Sequence, residues 1–421
     1  MKLKDFYILW STQSISQLGS AMTEFALTLW LYDRTGSALS TALLTICSYV
    51  PYVLVSIFAG ALTDRLDKKR TMLICDAIAA STTVLVFVML KLDMLAVWHL
   101  YAINALSGLM NTVQQPASEV ALTLIIPDEE YQKTSGLMSF SRSAISILNP
   151  LLAAALYSFW GMNLVIAADL GSFLLAFVAL AFWIRIPKAE IKGNVPLGEL
   201  VKEGLGFLKR NPMILTLIFF MAGVNLVASA FDAVLPAFVL PNPRGGANML
   251  GIVTSCSGAA MIVGSLIASV LPKPKDRIRV VYLTMLFSLG IENFLLAFSR
   301  SPILWCIGQV IGWILVPVMS SNLDVIMRTS IPVELQGRVY ACRNTLQYFT
   351  IPIGLFAGGF LVDEIFEPLM DSVAQESVLA HVFGFGKGSG AAVVMAVLGI
   401  SGITVCLITG YRLKKYYFNE V

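Results

Sequence analysis

Charge is what this chain has least of. Only 13% of its 421 residues are Asp, Glu, Lys or Arg, against roughly a quarter in soluble domains. With 57% hydrophobic residues and a mean hydropathy of +0.78, a water-soluble fold is excluded and a polytopic membrane protein is expected. Histidine is nearly absent. His99 and His381 have no carboxylate or hydroxyl partner at a catalytic spacing and are expected only to flank membrane spans. The six cysteines (Cys47, Cys75, Cys256, Cys306, Cys342 and Cys406) are scattered, mostly inside apolar runs, without the paired spacing of a zinc or redox motif. They read as small packing residues. With no metal-ligand cluster, no nucleophile beside a base and no phosphate loop in the sequence, neither an enzyme nor a cofactor is expected. The net charge of +3 is too small to imply a nucleic-acid partner.

What is abundant is apolar sequence in runs of about 20 residues, the length a helix needs to cross the bilayer core. Runs bounded by charge, Gly or Pro place twelve spans at residues 6–32, 40–63, 71–91, 95–122, 134–159, 162–186, 212–240, 247–271, 278–299, 302–328, 337–362 and 389–411. The residues before Phe6 are too few for a cleaved leader, and 6–32 is too long and too polar for a signal core, so it is expected as span 1. An even number of spans puts both termini on one side. Of the 29 lysines and arginines, 22 fall on that side, and Arg142 and Arg343 lie inside spans. The other side has only Arg34, Lys91, Arg244, Arg300 and Lys387. Positive charge marks the cytoplasmic face, so both termini are expected in the cytoplasm of a bacterial cell, with the chain in its plasma membrane.

The longest basic connection divides the chain into an N-terminal six-helix bundle (1–187), a cytoplasmic linker (188–211) with one amphipathic piece at 197–208, and a C-terminal six-helix bundle (212–421). The acidic, then glycine-rich stretch 363–388 is expected as a solvated outer loop with room for one surface helix. The two halves repeat one another. Ile126, Pro127 and Glu129 recur as Ile331, Pro332 and Glu334, and eight residues before each proline stands an acid, Glu119 or Asp324. Asn149 and Pro150 have their counterpart in Ile351 and Pro352, preceded by Arg142 and Arg343, and Gly60 recurs as Gly264. A duplicated six-helix unit is the architecture that alternating access uses.

Between spans 2 and 3 come Gly60, then Asp64 and Arg65, then Asp67, Lys68, Lys69 and Arg70. This loop resembles the signature of the major facilitator superfamily, with Asp67 where the family usually has glycine. Further residues resemble the bacterial efflux branch that includes the macrolide exporters and, more distantly, the enterobactin exporter. They are the run Asp33, Arg34, Thr35, Gly36, Ser37; Ile166 to Asp169; Glu203 and Gly204 through Asn211 and Pro212; and Gly337, Arg338, Val339. The resemblance implies an all-α membrane protein of two pseudo-symmetric six-helix bundles, with spans 1, 4, 7 and 10 at a central cavity, 2, 5, 8 and 11 at the interface and 3, 6, 9 and 12 outside.

That sorting, applied to the acids inside spans, assigns roles. An ionised acid at a helix centre costs about 2.5 to 3.5 kcal/mol on insertion scales, so each needs a partner, water or a proton. Glu24 in span 1 and Asp232 in span 7 look like symmetry mates and are the expected proton-coupling and substrate residues. The alternative is that both sit at the outer mouth as gate or surface charges. Asn104, in span 4 where many drug/proton antiporters have an arginine, is placed beside them, and Glu292 in span 9 is a further candidate. Glu119 and Asp324 are expected to close a cytoplasmic gate with Arg142, Arg343, Arg338 and Lys68, together with Gly60, Asp64 and Arg65, or else to form plain interfacial ion pairs. Asp169 is expected to be a structural hydrogen-bond acceptor. Pro150 and Pro352 are expected to bend spans 5 and 11; the family's antiporters carry Gly-Pro where this chain has Asn149 and Pro150. No residue is expected to be catalytic or to bind metal.

The resemblance implies export of a small hydrophobic compound driven by inward proton movement; the acids Glu24 and Asp232 favour a cationic one, macrolide-like in kind, and the protein is expected as a monomer embedded in the lipid bilayer. An exporter of a siderophore or other metabolite is the nearest alternative. A membrane sensor or enzyme without transport is the other.

Overall fold

The computed structural model describes residues 3–126, 130–184, 186 and 197–418. Within the helices, the side chains of 56–65 and of Glu119 lie outside the described residues, so the expectations for Gly60, Asp64, Arg65 and Glu119 go no further than their places on a helix. Every regular element among the described residues is helical. By contact, the chain forms two compact units, one of residues 1–34 and 43–194, the other of 35–42 and 195–421.

The first unit holds α1 (Leu3–Thr35), most of α2 (Ala38–Arg65), α3 (Lys68–Lys91), α4 (Val97–Ile125), α5 (Tyr131–Trp160) and α6 (Met162–Val178), the last running on as a π-helical turn, Ala179–Trp183. Its core has two apolar layers. Met22, Leu27, Leu31, Leu44, Leu100 and Ile166 belong to one, and Phe6, Leu9, Met72, Ala121 and Leu180 to the other. Between these layers, in α1, lie Gln13, Ser20 and Thr23, whose side chains serve acids on other helices. Asp67 caps α3, its carboxylate accepting from the Arg70 amide at 2.9 Å. Glycine would leave that amide without a side-chain acceptor, which accounts for the aspartate at this point of the loop. Lys69 then donates to the carbonyls of Ala181 and Ile184 at 3.0 and 2.7 Å, a cation set where the end of α6 leaves carbonyls unpaired.

The second unit holds the amphipathic helix α7 (Leu197–Arg210), α8 (Pro212–Val239), α9 (Ala247–Val270), α10 (Arg277–Phe298), α11 (Pro302–Ile314), α12 (Val316–Ser330), α13 (Val333–Tyr348), α14 (Thr350–Phe360), a π-helical turn Leu361–Phe366, α15 (Glu367–Ser372), α16 (Val378–Phe383) and α17 (Ser389–Phe418). Asp276 caps α10 as Asp67 caps α3, accepting from the Arg279 amide at 2.9 Å. The duplication thus extends to the start of the third span in each half. Span 10 is two helices, α11 and α12, interrupted at Leu315 just before Pro317. Span 11 is likewise broken at Phe349, three residues before Pro352, whereas α5 runs unbroken through Pro150. Gly354 and Gly358 set α14 backbone to backbone against α8 at Leu226 and Ala230, where any Cβ would collide. Close small-residue contact of this kind is what holds helices together where lipid removes the hydrophobic driving force.

Two expectations need correcting. Span 11 does not end at 362: the chain stays helical to Ser372 and forms α16 afterwards, so the start of the supposed solvated loop is ordered. Asp363 accepts from the Ser37 hydroxyl at 2.6 Å and from the amides of Ala38 and Leu39 at 3.0 and 2.8 Å, capping the first turn of α2.

Ten segments among the described residues are long and apolar enough to cross a membrane. Helices α1 and α4, with 33 and 29 residues, also have the length at about 1.5 Å per residue. They are more polar, with Gln13, Ser14, Gln17, Ser20 and Thr23 in α1 and Asn104, Asn111, Thr112, Gln114 and Gln115 in α4.

Candidate functional site

The acids within the spans separate into three chemical situations. In the first unit, two are fully served. Asp169 on α6, 3% exposed, accepts from Ser20 at 3.1 Å, Thr23 at 3.0 Å and Thr83 at 3.4 Å, and Gly19 lets α1 come within contact of its Cα. Asp76 on α3 accepts from Gln13 at 3.4 Å and from Gln114. Carboxylates that gather two or three donors from neighbouring helices tie those helices together.

Glu24 and Asp232 are in the second situation. Each stands about two-thirds of the way along its helix, α1 and α8, and each side chain is exposed beside buried neighbours, Met22 and Thr23 in one case, Phe231 and Ala233 in the other. Among the described residues neither carboxylate accepts a hydrogen bond or meets a cation at ion-pair distance. An ionised carboxylate turned to lipid at this depth carries a penalty of about 2.5 to 3.5 kcal/mol, so each of these acids needs water, a proton or a cation.

Glu292 on α10 is the third. It is 5% exposed and its Oε1 has no hydrogen-bond partner. Its carboxyl lies against Gly312 of α11, where a side chain would displace it. Ser288, one turn earlier on α10, donates to the Gly312 carbonyl and fixes the contact. Sequence sorting put Glu292 on an outer span, yet its side chain is turned into the helix bundle.

The expected gate residues are partly brought together. Arg343 lies 3.9 Å from Asp324. Arg338 does not join them; it pairs with Glu203 of α7, and Gly204 brings α7 against the Arg338 carbonyl and Cys342. Lys68 is buried and donates to the Leu66 carbonyl at 3.0 Å, and Arg142 is exposed on α5. Asn104 is buried with its amide turned back to the Leu100 carbonyl at 3.0 Å. His99 closes the start of α4 by accepting from the Ala96 amide at 3.0 Å.

Gly312 was not singled out from the sequence, and Glu203 and Asp363 were named there without the partners they have here. For Gly312 a signal exists, since Gly308 and Gly312 stand four apart on one helix face and α10 needs such a face to approach. The run Asp33 to Ser37 is explained residue by residue. Asp33 accepts from Tyr157 at 2.8 Å; Arg34 reaches Asp93 at 3.4 Å and stacks on Trp30; Gly36 has φ +61°; Ser37 accepts from the Ser40 amide.

Comparison with known proteins agrees with this architecture. The family model described as transmembrane secretion effector matches residues 1–383. Macrolide efflux protein A of Streptococcus pyogenes is 27% identical over 372 residues, covering 86% of this chain and 90% of that protein. The multidrug efflux pump Tap of Mycolicibacterium fortuitum is 24% identical, covering 82% of this chain and 86% of its own. Among solved structures, a bacterial homologue of the iron transporter ferroportin in an inward-facing state has the same fold, with a TM-score of 0.69 at 14% identity over 96% of this chain and 99% of that one.

Proposed function

Because the chain belongs to the transmembrane secretion effectors, a family of major facilitator transporters, we propose that it exports hydrophobic, cationic, macrolide-like small molecules from the bacterial cytoplasm in exchange for protons, by alternating access. The observation that carries this reading is the pair of exposed, unpaired carboxylates, Glu24 and Asp232, within membrane-length helices. Such a carboxylate holds either a proton or a cationic ligand, and competition between the two is sufficient to couple their movements. Facing the cytoplasm it loses the proton and binds the compound; facing outward it is reprotonated and releases it. The membrane potential adds about 2.3 kcal/mol per net charge per 100 mV.

The names of the efflux relatives and the polar character of α1 and α4 support the same reading. The Lys and Arg bias supports cytoplasmic termini. The protein needs no cofactor in this scheme and acts as a monomer. The test is uphill movement of a lipophilic cation such as tetraphenylphosphonium in proteoliposomes under an imposed proton gradient. Accumulation that a protonophore abolishes is expected. Passive equilibration unaffected by the gradient would contradict the proposal.

A further inference from the structure

Within the second unit, α10, α11 and α17 enclose a groove of about 750 Å³. Its wall on α10 is the stripe Phe287, Ile291, Phe294 and Phe298, one side chain per turn, and Leu304 and Leu407 close it from α11 and α17. All of these except the half-buried Phe294 are exposed, so the groove opens away from the interior of the bundle. Only Ser299, just past the end of α10, is polar among the lining residues. From Phe287 to Phe298 the stripe is about 17 Å long at 1.5 Å per residue, close to half of a hydrocarbon core of about 30 Å. It has the length of one leaflet, with Ser299 at the interface end.

Charge gathers at that end. Arg300 follows Ser299 and donates through Nη2 to the carbonyls of Ala380 at 3.2 Å and His381 at 2.8 Å. Those carbonyls belong to α16, whose Phe383 packs its ring 5.5 Å from that of Phe298, so the guanidinium is held at the mouth of the groove. Arg244 donates to the Arg300 carbonyl at 3.3 Å, which brings a second guanidinium to the same place. Both side chains are exposed, and among the described residues neither meets a carboxylate at ion-pair distance. They are two of only five cations that the sequence sets on the side away from the termini. Like charges held side by side repel one another, and Nε and Nη1 of Arg300 are left to donate. Guanidinium groups with donors to spare match the oxygens of a phosphate.

An apolar channel one leaflet long that ends at two guanidinium groups has the form of an anionic lipid. We propose that one phospholipid with a net negative headgroup, such as phosphatidylglycerol, binds here, its phosphate on Arg300 and Arg244 and one acyl chain in the groove. A free phosphate would leave the apolar wall unused, and a neutral lipophile would leave the charge unmatched. The site depends neither on the coupling ion nor on the exported compound.

The test is native mass spectrometry of the delipidated full-length protein in a neutral detergent, titrated with dioleoyl phosphatidylglycerol and, separately, with dioleoyl phosphatidylcholine. One retained phosphatidylglycerol is expected, with phosphatidylcholine weaker by roughly fivefold for each arginine engaged. Combining Arg244→Gln with Arg300→Gln should bring the two lipids to equal retention. Leu407→Trp, which fills the groove and keeps both arginines, should weaken both lipids. Glycerol 3-phosphate, a headgroup without chains, should not displace the lipid. Equal retention of the two lipids by the wild type, or a preference that survives the double variant, overturns the headgroup contact. Retention unaffected by Leu407→Trp overturns the acyl-chain groove, and displacement by glycerol 3-phosphate assigns the arginines to a free anion. Displacement by tetraphenylphosphonium gives the groove to the exported cation, and a dimer signal lost in Leu407→Trp gives it to a second copy of the chain; either result overturns the lipid site. If the double variant fails to fold, Arg244→Gln alone, exposed between α8 and α9, decides by the same ratio of the two lipids.

Discussion

Asp169 and Glu24 are both acids in membrane helices, yet removing them has opposite consequences. Asp169→Ala would leave the hydroxyls of Ser20 and Thr23, both in the middle of α1, without this acceptor, while Thr83 keeps the Ala79 carbonyl. An orphaned buried group costs about 1 to 3 kcal/mol, so a clearly lowered thermal midpoint is expected. Glu24→Gln removes no hydrogen bond made by the carboxylate, and its midpoint should stay within the ±0.5 kcal/mol or so typical of sites outside a network. Thermal unfolding of the two variants in detergent checks both; equal midpoints would contradict the distinction. The sequence separates Asp169 from Glu24 only through the spans that the family resemblance assigns them to, and it leaves Glu292 as one candidate among others. The donors that hold Asp169 come from helices distant in the chain, for which local spacing holds no signal.

Helices are where the sequence is most legible. Apolar length bounded by charge and proline finds the spans, and the paired motifs find the duplication, because both depend on local order along the chain. The breaks are less legible: Pro352 marks the region of the interruption at Phe349, but Pro150 lies in a helix that continues. The helix from Leu361 to Ser372 is missed because its acids resemble those of a solvated loop. Asp363 has a specific task there, since three donors at the first turn of α2 converge on it. Loss of a helix cap costs about 0.5 to 2 kcal/mol. Asp363→Ala is expected to raise the hydrogen-exchange rate of the Ala38 and Leu39 amides several-fold while α3 and α6 keep theirs. Unchanged exchange at the two amides would show that the cap is dispensable.

For the molecule as a whole, the direction of transport depends on orientation, which rests on the distribution of Lys and Arg. Single cysteines in place of Lys69, Lys192 and Lys415 in a cysteine-free background should be labelled by an impermeant reagent only after the cells are opened. Labelling of any of them on intact cells would reverse the assignment and turn the proposed exporter into an importer.

The central claim is that a cationic compound and a proton compete for the carboxylates Glu24 and Asp232. Its most direct test is the proton count on binding. When tetraphenylphosphonium is added to the detergent-solubilised protein in weakly buffered solution near neutral pH, protons should be released in step with saturation. The release should be lost when Glu24→Gln and Asp232→Asn are combined. No release from the wild type, or the same release from the double variant, would contradict the account.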